Sequence, residues 1–274
     1  VPLRHAASYT PGQTQRVNQD IEDGFIGEIV TTAFSRIAGD YDDLWLLTDG
    51  YRDWMLTKTL GHLSMRGNSK FADLGGGTGI FAHLLKLGVP LESDAICVDP
   101  SDAMLLNAKR YRGLQTYCES AETFAHRQVP LDRILIKESI HHVRNRQSFW
   151  GRISSSLRPD GRVLVVTRPS LPELPLFKRA MNAFSESQPE LEIILDEITS
   201  SSGLRAVTNT EQYHIQIPKE LWYAMLRARF MSSLAGFTSD EIEEGILEVD
   251  SQIDGDQVRF TDRLFFVVIE HEPQ

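Results

Sequence analysis

Between Phe71 and Leu85 the chain reads Phe-Ala-Asp-Leu, then Gly75-Gly76-Gly77-Thr78-Gly79, then an apolar run with helical spacing, and no other stretch restricts the fold so tightly. Four glycines in five positions suit neither a helix nor a strand interior. They suit a sharp turn, where the backbone takes positive φ and another group can approach where a Cβ would collide. With a short apolar run before it and a 3.6-residue pattern after it, the segment reads as strand, tight turn and helix. The first turn of that helix presents unpaired N–H groups, which favour a carboxylate or phosphate of a ligand. About twenty residues further on, Val98-Asp99 closes the next strand, where an acid can accept both hydroxyls of a ribose. Together these features describe a nucleoside pocket at the carboxyl ends of adjacent strands.

The remainder repeats the alternation. Strands are expected at Phe71–Leu74, Ala95–Val98, Leu114–Cys118, Arg133–Ile136, Arg162–Thr167, Arg205–Ile217 and Val258–Glu270, with helices at Ser101–Tyr111 and Gln147–Leu157 between them. Strands separated by helices of this kind imply βαβ units, an α/β fold with a parallel sheet covered on both faces. Continuous apolar runs such as Val163-Leu164-Val165-Val166 fit strands buried on both sides. Two amphipathic helical stretches precede the first strand, from Ile21 to Leu63, interrupted at Gly39 to Asp43. Helix is expected from Leu174 to Ser200 with a break at Pro189, and Pro218 opens another at an N1-like position, ending near Gly236. A last helix starts within Thr238-Ser239-Asp240-Glu241; counted from Ser239, the third residue on is Ile242, so no capping box is expected. No repeat or linker divides the chain. The expected organisation is a flexible tail over 1–20, for which a trimmed transit peptide is the other reading, and one domain over 21–274. That domain carries an N-terminal helical cap (21–66) and a helical insertion (218–254) between the last two strands.

Composition narrows the function classes. Lys and Arg number 28 against 38 Asp and Glu, a net charge of −10, which opposes a nucleic-acid partner because a phosphate backbone demands clustered cations. Two cysteines, Cys97 and Cys118, argue against a disulfide scaffold or thiolate metal site and suit a reducing, cytoplasmic setting. No run reaches the roughly eighteen apolar residues of a membrane helix, so no membrane association is expected.

Spacing decides between the two cofactor classes that share such a pocket. A dinucleotide fingerprint counted from Gly75 wants Gly at position 80, where the chain has Ile80. Asp73, just before the glycines, would repel a pyrophosphate yet could hold a cationic amino group. The acid, glycine turn and ribose acid resemble motif I and the following acidic loop of class I S-adenosylmethionine-dependent methyltransferases, in particular the small-molecule group that includes the ubiquinone and menaquinone C-methyltransferases. Phe34-Ser35-Arg36-Ile37-Ala38-Gly39-Asp40-Tyr41-Asp42 is similar to that group's lead-in, Ser120-Ala121-Glu122 to its adenine loop, Ile140-His141-His142-Val143 to the segment after its fourth strand, and Leu157-Arg158-Pro159-Asp160-Gly161-Arg162-Val163 to the turn into its fifth. Ser120 stands where the family commonly has an acid, and Asp160 where it has glycine. The resemblance implies a seven-stranded Rossmann-like sheet of order 3-2-1-4-5-7-6 with an antiparallel last strand. It implies S-adenosyl-L-methionine as cofactor, held by Tyr41, Asp73, Gly75, Gly76, Gly77, Asp99, Pro100, Met104, Ser120, Ala121, Glu122 and Lys137.

A sulfonium methyl is already activated, so alignment supplies most of the acceleration. A base is needed only for an acceptor that keeps its proton at neutral pH. His142 and His141 are the candidates, as strand-end imidazoles; the other reading of His142 is a loop cap. Glu138 could hold a substrate amine, and Arg168 and Arg227 a substrate carboxylate, which makes an anionic small metabolite a lead. A homodimer is compatible with this reading. The competing function is a catalytically inactive S-adenosylmethionine-binding or scaffold protein, motivated by Ser120 and Asp160.

Overall fold

The computed structural model describes residues 48–200 and 203–273. The chain order is α1 (Asp49–Leu63), β1 (Phe71–Leu74), α2 (Ile80–Gly88), β2 (Ala95–Asp99), α3 (Asp102–Ala108), β3 (Leu114–Cys118), α4 (Ala121–Ala125) and β4 (Leu131–Lys137). A 3-10 turn at Ile140–His142 leads to α5 (Arg146–Ser156), β5 (Leu157–Thr167), α6 (Lys178–Ser187), α7 (Leu191–Thr199), β6 (Leu204–Pro218) and α8 (Lys219–Arg227). After a second 3-10 turn at Ser232–Leu234, α9 (Ser239–Asp250) and β7 (Gln257–His271) complete the fold.

All seven strands join one sheet in the order β3-β2-β1-β4-β5-β7-β6, parallel from β3 through β5, with β7 antiparallel to both neighbours. Alternation along the buried strands splits the core in two. Phe71, Leu135, Leu164, Val166 and Phe266 face α1, α2, α6, α8 and α9, while Ala72, Ile134, Ile136, Val163, Val165 and Val267 face α4, α5 and α7. The expected strands are all present, lengthened by a residue or two at most ends and by the Pro-Asp-Gly approach in β5.

The helices depart from expectation where local chemistry overrides periodicity. Leu174–Phe177 is not helical and α6 begins at Lys178, because Pro172 and Pro175 bias the residues before them away from helix. Pro218 is the N-cap of α8 and the last residue of β6, rather than N1. That helix ends at Arg227, well short of Gly236, where Arg229 adopts φ of 52° and turns the chain out. Thr238, not Ser239, caps α9, and counting from Thr238 makes Glu241 the third residue, so the capping box is complete. The two insertion helices bury Trp222, Met225, Leu226, Ile242, Ile246 and Val249 against the sheet. Of the expected N-terminal cap, only 48–66 falls within the described residues. The lead-in with Tyr41 lies outside them.

Candidate active site

The glycine turn leaves β1 by donating the Gly75 and Gly76 amides to the Val98 carbonyl at 2.8 and 3.0 Å, which ties it to the end of β2. Gly75, Gly77 and Gly79 have φ of 79°, 55° and 75°. Their reasons differ. A Cβ at Gly75 would lie 2.5 Å from the Ser139 Cβ, whereas one at Gly77 meets none of the described residues within 4 Å. Gly75 is thus glycine for packing, and no described residue stands over Gly77. Asp99, at the end of β2, accepts from the Gly77 amide at 3.0 Å and the Ser101 amide at 2.9 Å. Burial pushes its carboxyl up to about 6, against those two amide bonds.

Asp73 lies buried at the end of β1, with its carboxyl pushed up to about 7 by burial, lowered by Lys137 and raised again by Asp99. No hydrogen bond to it is found among the described residues. Lys137 ends β4, its ammonium 4.3 Å from the centre of the Phe81 ring, and burial lowers its pKa. Two carboxyls and an ammonium thus flank the turn, and a cationic ligand group beside them would restore both acids to their ionised form.

On the other side of β2, Pro100 is exposed and Met104 is buried on α3, whose N-cap is Ser101. Ser120 is the N-cap of α4, accepting from the Thr123 amide at 3.1 Å. Its hydroxyl also bonds the Thr123 hydroxyl, at 3.0 Å. Ala121 begins that helix half-buried. Glu122 accepts from the Arg144 and Asn145 amides at 3.1 and 2.9 Å, so it braces the segment after β4. Glu119, the neighbouring acid, is taken by Arg127 at 2.6 Å. The three-residue stretch expected to meet a base therefore offers backbone groups more readily than side chains.

Beyond β4 the chain turns at Glu138, a non-glycine residue with φ of 52°. The Ser139 hydroxyl donates to the Leu74 carbonyl at 2.8 Å, pressing this turn against the glycines. His141 is surrounded: Nε2 lies 3.3 Å from the Ser232 hydroxyl and Nδ1 3.3 Å from the Gln188 amide nitrogen. Burial, and then the neighbouring His142, holds its pKa well below the ordinary histidine value. With both ring nitrogens engaged, His141 does not serve as a base in this geometry, contrary to expectation. His142 packs 4.0 Å from it, ring to ring, and is exposed, with no hydrogen bond to its ring among the described residues. The loop-cap reading of His142 finds no support.

Arg168 and Arg227 depart further from expectation. Arg168 is 3 % exposed; its Nε and one Nη bond both oxygens of Asp262, itself 1 % exposed, at 2.8 and 2.7 Å, and the other Nη bonds Glu138. The Tyr51 hydroxyl completes the chain by donating to Asp262 at 2.6 Å. Arg227 lies on the outside of α8 with both donors on Glu243, at 2.7 and 2.9 Å. The Arg168 guanidinium is buried and taken up by Asp262 and Glu138, and Arg227 pairs with Glu243 at the surface, so neither geometry supports the anionic lead. Tyr51 and Asp262 escaped the sequence reading because they lie 211 positions apart. Tyr51 reads as a core aromatic and indeed packs against Trp54 and Tyr213.

Residues 72–163, about a third of the chain and spanning β1 to the middle of β5, match a family model described as a methyltransferase domain. No curated protein matches the sequence. Among solved structures, the cyclopropane synthase MmaA2 from Mycobacterium tuberculosis superposes with a TM-score of 0.60 at 15 % identity, covering 89 % of this chain and 98 % of that one. YcgJ from Bacillus subtilis gives 0.56 at 18 % identity over 80 % of this chain and 98 % of its own. Phosphoethanolamine N-methyltransferase 2 from Haemonchus contortus, solved with S-adenosyl-L-methionine, gives 0.50 at 17 % over 80 % of this chain and 52 % of its own. At these identities the likeness shows the fold alone, a Rossmann-like seven-stranded sheet in the expected order. The glycine turn, Asp99, Glu122 and Lys137 all fall inside the matched residues, while Arg168, Asp262 and the insertion lie beyond them.

Proposed function

We propose that the protein is an S-adenosylmethionine-dependent methyltransferase that transfers the methyl group in line to a small molecule. The observation that carries this reading is the turn itself: no described residue stands over Gly77, which is flanked by Asp99 and by Asp73, the latter with no hydrogen bond among the described residues. The chain's groups fit the cofactor on that ground. Asp99, partly accessible and fixed by two amides, is disposed to accept the ribose hydroxyls, and Asp73 with the turn amides to hold the amino-acid tail. Pro100 and Met104 border the base, with Ser120, Ala121 and Glu122 supplying backbone groups, and Lys137 contributes beside Asp73. When bound, the cofactor supplies a methyl group already activated by positive charge. The protein's task is then to orient the acceptor and to receive its proton where it carries one. That proton is assigned to His142, exposed at the close of the 3-10 turn after β4; desolvation lowers its pKa to about 4, so it suits only an acceptor that gives up its proton readily.

Asp99→Asn keeps the side-chain shape and one acceptor oxygen but loses the charge. Calorimetry is expected to show S-adenosylhomocysteine bound about tenfold more weakly, the equivalent of about 1.4 kcal/mol. Unchanged affinity would remove Asp99 from the ribose site. A pH series tests the acids together. With Asp73 near 7 and Asp99 near 6 in the free protein, both are ionised at pH 8 and take up protons as pH falls through that window. A cationic ligand prefers the ionised forms, so affinity for S-adenosylmethionine is expected to be flat above pH 8 and to fall between pH 7 and 5. Binding near pH 6.5 should release protons, read as a buffer-dependent heat. An affinity that rises on acidification would contradict the assignment.

A further inference from the structure

Glu138 is bound through one carboxylate oxygen only, to Arg168; its other oxygen, Oε1, is buried without a hydrogen-bond partner among the described residues. An ionised carboxylate normally fills several acceptor positions, and a buried one left open is costly. The cost is maintained by an over-determined frame. Asp262 holds Arg168 through two bonds, Tyr51 holds Asp262, Arg168 holds Glu138, and the Glu138 backbone sits in the left-handed region with its amide on the Val166 carbonyl at 2.8 Å. Non-glycine residues stay in that region where the surroundings enforce it, commonly at a ligand site.

Register and the Ser139 contact place the Glu138 backbone. Asp73 pairs with Leu135 across β1 and β4, so Lys137 stands level with Gly75, and Ser139 touches that glycine's open side. Glu138 lies between these two, at the rim of the turn. Gln188, the C-cap of α6, meets His141 of the 3-10 turn through its amide nitrogen, and its carbonyl oxygen is buried with no partner among the described residues. With the Glu138 carboxylate held by Arg168 through Oε2, Oε1 remains an acceptor, and its missing partner is a hydrogen-bond donor. The cations nearby, Arg168 and Lys137, are occupied by Asp262, Glu138 and the Phe81 ring. A carboxylate or phosphate brought here would face Glu138, with Arg168 already engaged by Glu138 and Asp262.

We infer that Glu138 anchors the methyl acceptor through an amine, with Arg168, Asp262 and Tyr51 as positioning residues that aim its free oxygen at the N–H. The inference rests on the methyltransferase reading of the same site, and concerns recognition whether or not that nitrogen is the atom methylated. The test uses the full chain saturated with S-adenosylhomocysteine and ligand-observed NMR with benzylamine and ethanolamine, against benzoate and glycolate as carboxylate counterparts. The amines are expected to bind saturably and the carboxylates not. Glu138→Gln should weaken the amines about tenfold, and Tyr51→Phe, which keeps the packing and removes only the bond to Asp262, about threefold. Affinity for S-adenosylhomocysteine should stay within twofold in both, a split that general loosening of the fold would not produce. If Glu138→Gln does not fold, Tyr51→Phe carries the test alone. Preference for the carboxylates, absence of amine binding, or amine affinity indifferent to the substituted residue would each overturn the inference. Failure of S-adenosylhomocysteine to bind the unmodified protein would instead overturn the methyltransferase reading beneath it.

Discussion

Gly77→Val is expected to weaken S-adenosylhomocysteine binding by about a hundredfold or more while the protein remains folded. Gly77 has φ of 55°, so any side chain pays for the left-handed conformation, roughly 1–2 kcal/mol. That strain alone is small against the stability of a domain this size. No described residue lies within 4 Å of the new Cβ, so the valine does not disrupt the core; it projects into the space assigned to the ligand. The loss should appear in calorimetry, with the circular dichroism spectrum unchanged and the melting temperature lowered by only a few degrees. The same change at Gly75 does not isolate the ligand, because there the side chain would collide with Ser139. Full affinity in Gly77→Val would mean that the ligand does not approach the turn.

Arg168→Met is expected to destabilise the fold by about 3–5 kcal/mol, the usual effect of removing one partner of a buried ion pair. Methionine fills a similar volume but leaves Asp262, 1 % exposed, and Glu138 without their cation. Denaturant titration should show the loss as a lower midpoint with an unchanged slope. Adding Asp262→Leu should recover part of it, since an apolar pair avoids the uncompensated charge, although Tyr51 then loses its acceptor. A double variant no more stable than the single one would show that the carboxylate is not the source of the cost. A single variant as stable as the parent would mean that the guanidinium is not confined as described.

How much of this was legible in advance followed the range of the interactions. The strand, the glycine turn and the acid closing β2 are local: they depend on residues close in sequence, and their spacing located the turn and Asp99, whereas the sheet order was implied by the family resemblance. Helix limits failed where one residue decided the matter. Pro172 and Pro175 delayed α6, Arg229 cut α8 short, and a count begun one residue late hid the capping box at Thr238. The acceptor side was the least legible. Arg168 and Arg227 read as substrate ligands because an arginine near a strand or helix end advertises a charge but not its partner. Asp262 lies 94 residues from Arg168, and Glu243 sixteen from Arg227. His141 and His142 are adjacent and chemically alike in the sequence. Only the packing of Ser232 and Gln188 around the first separates their roles.

The account stands on the space over Gly77 between Asp73 and Asp99 accepting an adenosine that carries a charged amino-acid tail. Isothermal titration of the folded full chain with S-adenosylhomocysteine at pH 8 tests this most directly. The expected result is saturable binding of one ligand per chain, with no comparable heat from NADH. A folded protein that gives no heat and no thermal stabilisation with S-adenosylhomocysteine, or that takes NADH in its place, would contradict it.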